Sequence, residues 1–347
     1  MSRNRFEELL SNLHFANNET IVQNNRLGKV LPLVDILMVN YQKVFSPGKD
    51  IIVDETMVPW RGRLVFRQYI QTKSHKYGVK LFKLCSTKGY TWSLKIYSGR
   101  DTGGKRKVGI AESVCTELAD KLLKEGRTLF VDNFYTSYEL ALKFLNSKTH
   151  VVGTIQRNKK NMPSCVMSYP LKKGEMVARE DPNGIVVLKW RDVRDVTILS
   201  TKNPPIMTPS SNSSWRGRPT KMKPLAISEY NIGKSGIDRS DQMVSYATNI
   251  RKTIKWYRKL AIYLLLGTTI VNAQYSTQKK KTVSPLGDPQ KSAREACKKD
   301  VRTLLQKEKK MVERQQARKN LKKTTYCLNC LKSPQMCLDC FNEFHAT

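Results

Sequence analysis

Two short apolar runs that each lead into an aspartate constrain the fold of this chain most strongly. The run IIV comes directly before Asp54, and the run LFV comes directly before Asp132. Such runs predict buried strands, and strand ends are places where a rigid scaffold can direct side chains toward one point. A third acidic stretch, GIDRSDQM, predicts a helix start that carries Asp238 and Asp241.

The spacing of apolar residues around these runs predicts an α/β unit. Strands are indicated at DIIVDETMVPW, KYGVKLFKLC, YTWSLKIYS, TLFVD and HVVGTI, with helices at 111–126 and after Ser137. Weaker strand signals, VVLKW and VTILST, follow among Pro, Ser, Asn and basic residues. Helical periodicity marks the first fifty residues and the stretch from SGIDRSDQM to Gln274. The alternation of strands and helices favours the α/β class.

The chain is strongly basic. Its 347 residues include 62 Lys and Arg but only 29 Asp and Glu, which leaves a formal net charge of +33. This excess predicts a polyanionic partner, and nucleic acid is favoured because neutralising phosphates releases counterions. A ribosomal-type or aggregation-resistant basic surface stays open as an alternative.

No segment of the sequence resembles a membrane span. The longest apolar run, LAIYLLLGTTIV, is shorter than the roughly 20 residues that a transmembrane helix needs. The N-terminal stretch MSRNRFEELLSNLHF has no uninterrupted apolar core, so we expect no secretory signal. We therefore predict no membrane partner and no disulfide bonds.

The acidic positions have a possible shared chemistry. Carboxylates that meet from distant parts of a chain repel one another unless they share a proton or hold cations. In a chain that binds phosphates the matching cation is Mg²⁺, and two such ions catalyse phosphoryl displacement. Simpler interpretations stay open: Asp132 with Asn133 could form an Asx turn, and Asp238 or Asp241 could cap a helix.

Two segments combine basic and aromatic residues. RGRLVFRQYIQTKSHKYGVK mixes cations with Phe66, Tyr69 and Tyr77, a combination suited to phosphate contacts and base stacking. A second basic stretch, RKTIKWYRK, precedes the long apolar run. The predicted DNA-contacting residues are Arg61, Arg63, Arg67, Lys73, Lys76, Lys80, Arg251, Lys252 and Lys255. A solvated cationic strand pair is the alternative for the first segment, and Trp256 in the second could belong to the core.

Four of the eight cysteines crowd the last stretch of the chain. Two CxxC pairs, Cys327 with Cys330 and Cys337 with Cys340, are followed by His345. Thiolates at this spacing can complete a tetrahedral structural Zn²⁺ site. The sequence therefore predicts one zinc ion here, and free or buried cysteines on a basic tail are the alternative.

Several of these motifs, in this order, resemble the piggyBac transposase family and the host proteins derived from it. The resemblance runs from MSRNRFEELLSNLHF through IIVDETMVPWRGRLVFRQYIQTKSHKYGVKLFKLC, FVDNFYTS, GIDRSDQM and RKTIKWYRKLAIYLL to CLDCFNEFH. It implies an RNase H-like catalytic core with a β-rich insertion, flanking helices and a small C-terminal zinc-binding module. It also implies a triad of Asp54, Asp132 and Asp238 that binds two Mg²⁺ ions, with Asp241 in support.

The resemblance further implies an activity and a location. It predicts a homodimer in the nucleus that cleaves double-stranded DNA at transposon ends and transfers the strands into TTAA sites. The basic runs KKK at 279–281 and ARKNLKK agree with nuclear residence. The rival hypothesis is a domesticated or decayed protein that binds DNA or chromatin without cutting it. A third hypothesis, an RNA-binding protein with a zinc knuckle, leaves the aspartates unexplained.

The resemblance also suggests the organisation of the chain. The expected regions are a partial helical dimerisation and DNA-binding region at 1–50, the core at 51–155 and 224–291, the insertion at 156–223, a basic linker at 292–323 and the cysteine-rich domain at 324–347. The family's cysteine-rich domain usually holds two zinc ions, with cysteines upstream that ERQQARKNLKKTT lacks. We therefore expect one zinc ion, with His345 replacing a thiolate in one arrangement. Because the family carries more sequence ahead of MSRNRFEELL, we expect the first region to be incomplete.

Overall fold

The computed structural model describes residues 1–99, 109–209, 222–246 and 255–281. The basic linker and the zinc module predicted for 292–347 lie outside these ranges. Met1–Lys279 form one compact unit, and Lys280–Thr347 form a second unit of which only the end of one helix is described. Among the described residues, no helix is long and apolar enough to cross a membrane.

The first unit contains nine α-helices and eleven strands within the described ranges. The helices are α1 (Arg3–Ser11), α2 (Leu31–Val44), α3 (Ile110–Ala119), α4 (Tyr138–Asn146), α5 (Ser164–Met167), α6 (Leu225–Gly233), α7 (Gly236–Tyr246), α8 (Trp256–Tyr263) and α9 (Thr269–Lys281). The strands are β1 (Asp50–Pro59), β2 (Gln68–Tyr69), β3 (Tyr77–Ser86), β4 (Thr91–Ile96), β5 (Thr128–Val131), β6 (His150–Thr154), β7 (Met176–Glu180), β8 (Val186–Arg191), β9 (Asp195–Ser200), β10 (Met207–Pro209) and β11 (Met222–Pro224).

One mixed sheet organises the unit. Its strand order is β2-β3-β1-β5-β6-β9-β8-β7, and β4 also pairs with β3. The pairs β1–β3 and β3–β4 are antiparallel, whereas β1–β5 and β5–β6 are parallel. The weak strand signals VVLKW and VTILST correspond to β8 and β9, and β9 joins the sheet antiparallel to β6. Strands β7, β8 and β9 of the predicted insertion therefore extend the central sheet, whereas β10 pairs with β11 in a separate two-stranded sheet.

Strand β1 lies between two partners of unequal length. Strand β5 pairs only with its first four residues, from Asp50 to Val53, while β3 pairs with it from Ile51 to Pro59. We expected Asp54 at a strand end, and in this respect the prediction was wrong. The strand continues because β3 supplies hydrogen-bond partners beyond the point where β5 stops.

The two faces of the sheet are covered by different helices. Because side chains alternate along a strand, Ile52, Phe130 and Val152 share one face, where they pack with α6 and the start of α7. The neighbouring residues Val53 and Val131 belong to the larger apolar cluster that includes α2, α3 and α4. Both faces of the central strands are therefore buried, which explains their continuous apolar runs.

Helix α7 is seated closely on the sheet through its first residue. A Cβ on Gly236 would lie 2.4 Å from Ile52 Cδ1 and 2.4 Å from the Ser86 carbonyl oxygen. Since the carbonyl oxygen belongs to the backbone of β3, it cannot move aside as a flexible side chain would. Glycine at this position lets the helix start touch both β1 and β3.

We expect Gly236→Ala to destabilise the fold by about 1–3 kcal/mol, because the added methyl group forces α7 away from the sheet. The measurement is the free energy of unfolding in urea. Gly48→Ala is the matched control, since a Cβ at Gly48 meets nothing within 4 Å, and its effect should stay within about 0.5 kcal/mol. Equal stability of the two variants would contradict this close seating.

Candidate active site

Asp54 and Asp132 lie side by side where the parallel ladder of β1 and β5 ends. The last parallel pair is Val53 with Val131; Asp54 is the next residue of β1, and Asp132 is the first residue after β5. Ile52 and Phe130, which precede the two aspartates by two residues, are paired on the face covered by α6 and α7. Because side chains alternate along a strand, both aspartates lie on that same face. The prediction that Asp132 directly follows a strand is confirmed.

The carboxylate of Asp132 is held by a turn. Its Oδ1 accepts a hydrogen bond of 2.8 Å from the backbone N–H of Phe134, and its carbonyl oxygen accepts one of 2.8 Å from the Thr136 hydroxyl. This Asx turn is the simpler arrangement that the sequence left open. A carboxylate offers about four acceptor positions, so the turn orients Asp132 and leaves capacity for a further ligand.

Asp238 lies in the first turn of α7, at the helix start that the sequence predicts. The charge of Asp238 acts on Tyr230, a mostly buried residue of α6 that hydrogen-bonds Thr154. Burial raises the pKa of the Tyr230 hydroxyl, and the charges of Asp132, Asp54 and Asp238 raise it further. The charges of all three aspartates thus act on one hydroxyl group.

The charged forms of Asp54 and Asp132 are destabilised in the folded chain. Burial, with the charge of Glu55 next in size, raises the pKa of Asp54 to about 8, and Asp132 adds to the shift while Lys73 opposes it. Burial, with Glu55 among the other causes, also raises the pKa of Asp132. Carboxylates in this condition are stabilised by a shared proton or by a bound cation.

The acids offer hard oxygen ligands but not a closed cage. Within the described ranges, no three His, Cys, Asp or Glu side chains are grouped closely enough to form a complete metal site. Mg²⁺ is usually held by one or two carboxylates together with water and substrate phosphates. The adjacent pair Asp54 and Asp132, with Asp238 nearby, therefore fits Mg²⁺ in its donor chemistry.

Asp241 is engaged by two donors from the sheet. The Thr56 hydroxyl lies 2.9 and 2.8 Å from its two carboxylate oxygens, and Lys83 Nζ lies 3.0 Å from Oδ1. Lys83 is fully buried and is the cross-strand partner of Asp54. Burial alone would lower the pKa of Lys83, but Asp241 and Tyr263 outweigh it and raise that pKa above its usual range. This ion pair ties α7 to β3.

Sequence reasoning missed Lys83 and Tyr230. Lys83 had one available signal, since it is a lysine inside the otherwise apolar run LFKLC, and a fully buried lysine requires an acidic partner. Tyr230 stands in no motif, and its helix α6 was not predicted. Its proximity to the aspartates comes only from the packing of α6 on the sheet.

The predicted DNA-contacting residues occupy two places. Lys73 Nζ donates to the Glu55 carbonyl oxygen at 2.9 Å, and Lys80 Nζ lies 3.8 Å from the Glu55 carboxylate, so both lie beside Asp54. The residues Arg61, Arg63, Arg67 and Lys76 are exposed, and Lys255 is exposed at the start of α8. Arg251, Lys252, Cys327, Cys330, Cys337, Cys340 and His345 lie outside the described residues.

A basic cavity of about 970 Å³ lies beyond the end of β1. Arg61, Arg63, Lys76 and Lys259 are among the residues that line it, together with Trp60. Burial lowers the pKa of Lys259. Trp256, one turn earlier in α8, packs edge-on against Phe66 at 5.1 Å, so it is a core-facing residue.

Known proteins share this sequence pattern and fold. The sequence profile of a family described as transposase IS4 matches residues 1–274, a range that includes all four aspartates and the basic cavity. Human piggyBac transposable element-derived protein 3 is 28% identical over 268 residues, which is 74% of this chain and 45% of that protein. The chain belongs to the piggyBac transposase family.

Other members of the piggyBac family give the same picture. Human piggyBac transposable element-derived protein 2 is 25% identical over 277 residues, which is 76% of this chain and 46% of that protein. The chain thus spans about half the length of these curated relatives. The cryo-EM structure of a piggyBac transposase synaptic complex with hairpin DNA matches with a TM-score of 0.70 and 28% identity, over 85% of this chain and 62% of that one.

In this piggyBac-family fold, we expect the Lys83–Asp241 pair to be strongly stabilising. Lys83→Met leaves the Asp241 carboxylate without its buried cation and should cost about 3 kcal/mol. Adding Asp241→Asn should recover part of that loss, because no unpaired charge remains, and a double-mutant cycle measures the coupling. Lys95→Met, which breaks the exposed pair with Glu117, should cost at most about 1 kcal/mol. Similar losses for Lys83→Met and Lys95→Met would contradict the assignment.

The raised pKa of Asp54 predicts a pH-dependent stability. Between the unfolded pKa of about 3.9 and the folded pKa of about 8, each pH unit costs the folded state about 1.4 kcal/mol. In EDTA, the wild-type chain should therefore lose stability relative to Asp54→Asn as the pH rises from 4 to 8, measured by thermal unfolding.

Asp195→Asn is the control of opposite sign for this experiment. A hydrogen bond from Arg191 lowers the pKa of Asp195, so the ionised carboxylate stabilises the fold. Above pH 4, Asp195→Asn should therefore be less stable than the wild-type chain. A pH-independent difference between the wild-type chain and Asp54→Asn would contradict the raised pKa of Asp54.

Proposed function

We propose that this chain is a DDD transposase of the piggyBac type, which cleaves DNA and transfers strands at TTAA sites with the help of divalent metal. The proposal is carried by one observation: Asp54 and Asp132 directly follow the last residue pair of the parallel β1–β5 ladder, and Asp238 stands in the first turn of α7, whose start packs on the same sheet. It is supported by membership of a transposase family and by the likeness to a piggyBac transposase–DNA complex. The sheet order, with three antiparallel strands followed by two parallel ones, supports an RNase H-like core.

The three aspartates would hold Mg²⁺. Two such ions stabilise the attacking and the leaving oxygens of a phosphoryl displacement. Asp54 and Asp132 contribute from adjacent strands, and Asp238 contributes from the first turn of α7. Asp241 acts through Lys83 and Thr56, since these contacts anchor the helix that carries Asp238.

The basic residues around the acids would contact DNA phosphates or balance the negative charge of the site. Lys73 and Lys80 lie next to Glu55 and limit the negative charge around Asp54. The exposed arginines and Lys76 would contact phosphates, as would Arg251, Lys252 and Lys255. Double-stranded DNA with transposon ends is the proposed substrate, a homodimer in the nucleus is the proposed working form, and cleavage proceeds through hairpin ends.

The C-terminal cysteines would form a separate structural site. Cys327, Cys330, Cys337 and Cys340 would hold one Zn²⁺ ion, with His345 as the substitute for one thiolate. In the proposed organisation this module follows the basic linker at 292–323 and contributes to DNA binding.

The second candidate is a domesticated or decayed protein that binds DNA or chromatin without cutting it. One observation favours it: the human relatives are named as proteins derived from transposable elements. The two candidates differ in whether the chain cleaves DNA when Mg²⁺ is supplied.

We expect purified protein with Mg²⁺ to nick or transfer a TTAA-flanked transposon end. Asp54→Asn, Asp132→Asn and Asp238→Asn should each reduce cleavage to background, because each removes a metal ligand while keeping its size. Gel assays with labelled DNA measure cleavage, and filter binding shows whether DNA is still bound. Asp35→Asn is the matched control, since Asp35 is exposed on α2, and it should cleave normally.

A second readout separates metal binding from cleavage. Mg²⁺ should raise the melting temperature of the wild-type chain at pH 8 and raise it much less in Asp54→Asn, because the ion relieves the repulsion around Asp54. Undiminished cleavage by Asp132→Asn would refute the triad. Mg²⁺ binding and DNA binding without any cleavage by the wild-type chain would favour the second candidate.

A further inference from the structure

The segments that carry Asp54 and Asp132 lose their shared backbone ladder at the acids themselves. The last parallel pair lies one residue earlier, after which β1 continues beside β3 and the chain after β5 enters a turn. Phe134 and Thr136, which hydrogen-bond Asp132, belong to that same turn. These contacts fix the shape of the turn, but they do not fix its distance from β1.

A side-chain hydrogen bond crosses the gap between the two segments. The Tyr135 hydroxyl donates to Glu55 Oε2 at 3.2 Å. Glu55 is the residue after Asp54, and the backbone N–H of Tyr135 lies 3.2 Å from the Asp132 carbonyl oxygen. The bond therefore joins the segment of one acid to the segment of the other, just beyond the end of the parallel ladder.

Both partners of this bond are held inside the protein. Tyr135 is 1% exposed, and its ring packs edge-on against Phe82 at 6.3 Å. Phe82 is the cross-strand partner of Glu55 on β3, and the Glu55 side chain is 15% exposed. A buried tyrosine hydroxyl needs a hydrogen-bond partner, and here the partner is the residue next to Asp54.

Lys80 makes a second connection between the same segments. Its Nζ lies 3.8 Å from Glu55 Oε2 and 4.9 Å from the centre of the Phe134 ring. An ammonium group over an aromatic ring is attracted to it, and Phe134 is the residue whose N–H binds the Asp132 carboxylate. Lys80 thus links Glu55 to the turn that orients Asp132.

We propose that Tyr135 and Glu55 are positioning residues, whose hydrogen bond holds Asp132 beside Asp54 so that both carboxylates can bind one divalent cation. Neither residue has to touch the metal or the DNA. Outer partners of metal ligands fix the orientation of those ligands, and their loss weakens metal binding. The inference rests on the divalent metal of the proposed function, and it adds the residues that keep the metal site assembled.

The first measurement is the affinity of the full chain for Mn²⁺ without DNA, read from the EPR signal of the free ion. Tyr135→Phe keeps the packed ring and removes only the hydroxyl, so it should weaken Mn²⁺ binding about tenfold. Tyr90→Phe is the matched control. Tyr90 is also 1% exposed, but its hydroxyl donates to the Tyr41 carbonyl oxygen of α2 at 2.8 Å, so this variant should bind Mn²⁺ as the wild-type chain does.

Variants of Glu55 separate positioning from direct metal binding. Glu55→Gln keeps an oxygen that accepts the hydrogen bond from Tyr135, so its Mn²⁺ affinity should stay close to that of the wild-type chain. Glu55→Ala removes the acceptor and should weaken binding about tenfold, as Tyr135→Phe does. Because the two residues share one bond, adding Tyr135→Phe to Glu55→Ala should cause no further loss.

A metal-free measurement tests the same connection. The Phe134 N–H is bonded to Asp132 Oδ1 at 2.8 Å, so its exchange with solvent reports whether the turn holds that carboxylate. The chain is labelled with ¹⁵N-phenylalanine and kept in EDTA, and Phe134→Leu assigns the signal. The Phe134 amide should exchange about tenfold faster in Tyr135→Phe, the effect of one lost hydrogen bond, and at the wild-type rate in Tyr90→Phe.

Equal Mn²⁺ affinities of Tyr135→Phe and Tyr90→Phe would overturn the proposal, as would an unchanged exchange rate of Phe134. Equal losses from Glu55→Gln and Glu55→Ala would show that Glu55 acts through its charge, which also overturns it. Neither measurement uses DNA, so a chain that fails to cleave DNA leaves this inference intact. A wild-type chain that binds no Mn²⁺ refutes the proposed function instead, and the exchange of Phe134 then decides the inference.

Discussion

The short parallel ladder between β1 and β5 is the constraint on which the rest of the site depends. It joins four residue pairs and ends at Val53 and Val131, so the residue that follows each of them is an aspartate on the same face. A shift of the register by one residue would send one carboxylate to the opposite face of the sheet. Side-chain packing specifies the register, because a slip would separate Ile52 from Phe130 on the face that α6 and α7 cover.

Acidic side chains lie near the middle of β1, and basic side chains lie beyond its end. Near the middle of the strand, burial and then the charges of Glu55 and Asp132 keep the pKa of Asp54 high, while Lys83 is paired with Asp241. At the end of the strand, the cationic cavity begins at Pro59. Lys73 and Lys80 oppose the negative charge at Asp54 and Glu55 only in part, because burial still raises the pKa of Asp54.

Much of the fold could be predicted because its signals are local. The apolar runs of β1, β3, β4, β5 and β6, and the Ser137 cap of α4, are written in consecutive residues, and the structure contains each of them. The helix start that carries Asp238 is equally local. Weakly patterned segments were missed, including α6 and β7, because neither has a strong apolar period or a distinctive cap.

The sequence by itself determined the apolar runs, the acids that follow them, the basic excess and the family to which the chain belongs. Only the tertiary structure decided that β1 continues past Asp54, that Asp241 meets a buried lysine, and that the charges of three aspartates act on Tyr230. These facts depend on contacts between residues far apart in the chain. Such contacts follow from how α6 and α7 pack across the sheet, and no local pattern of residues specifies that packing.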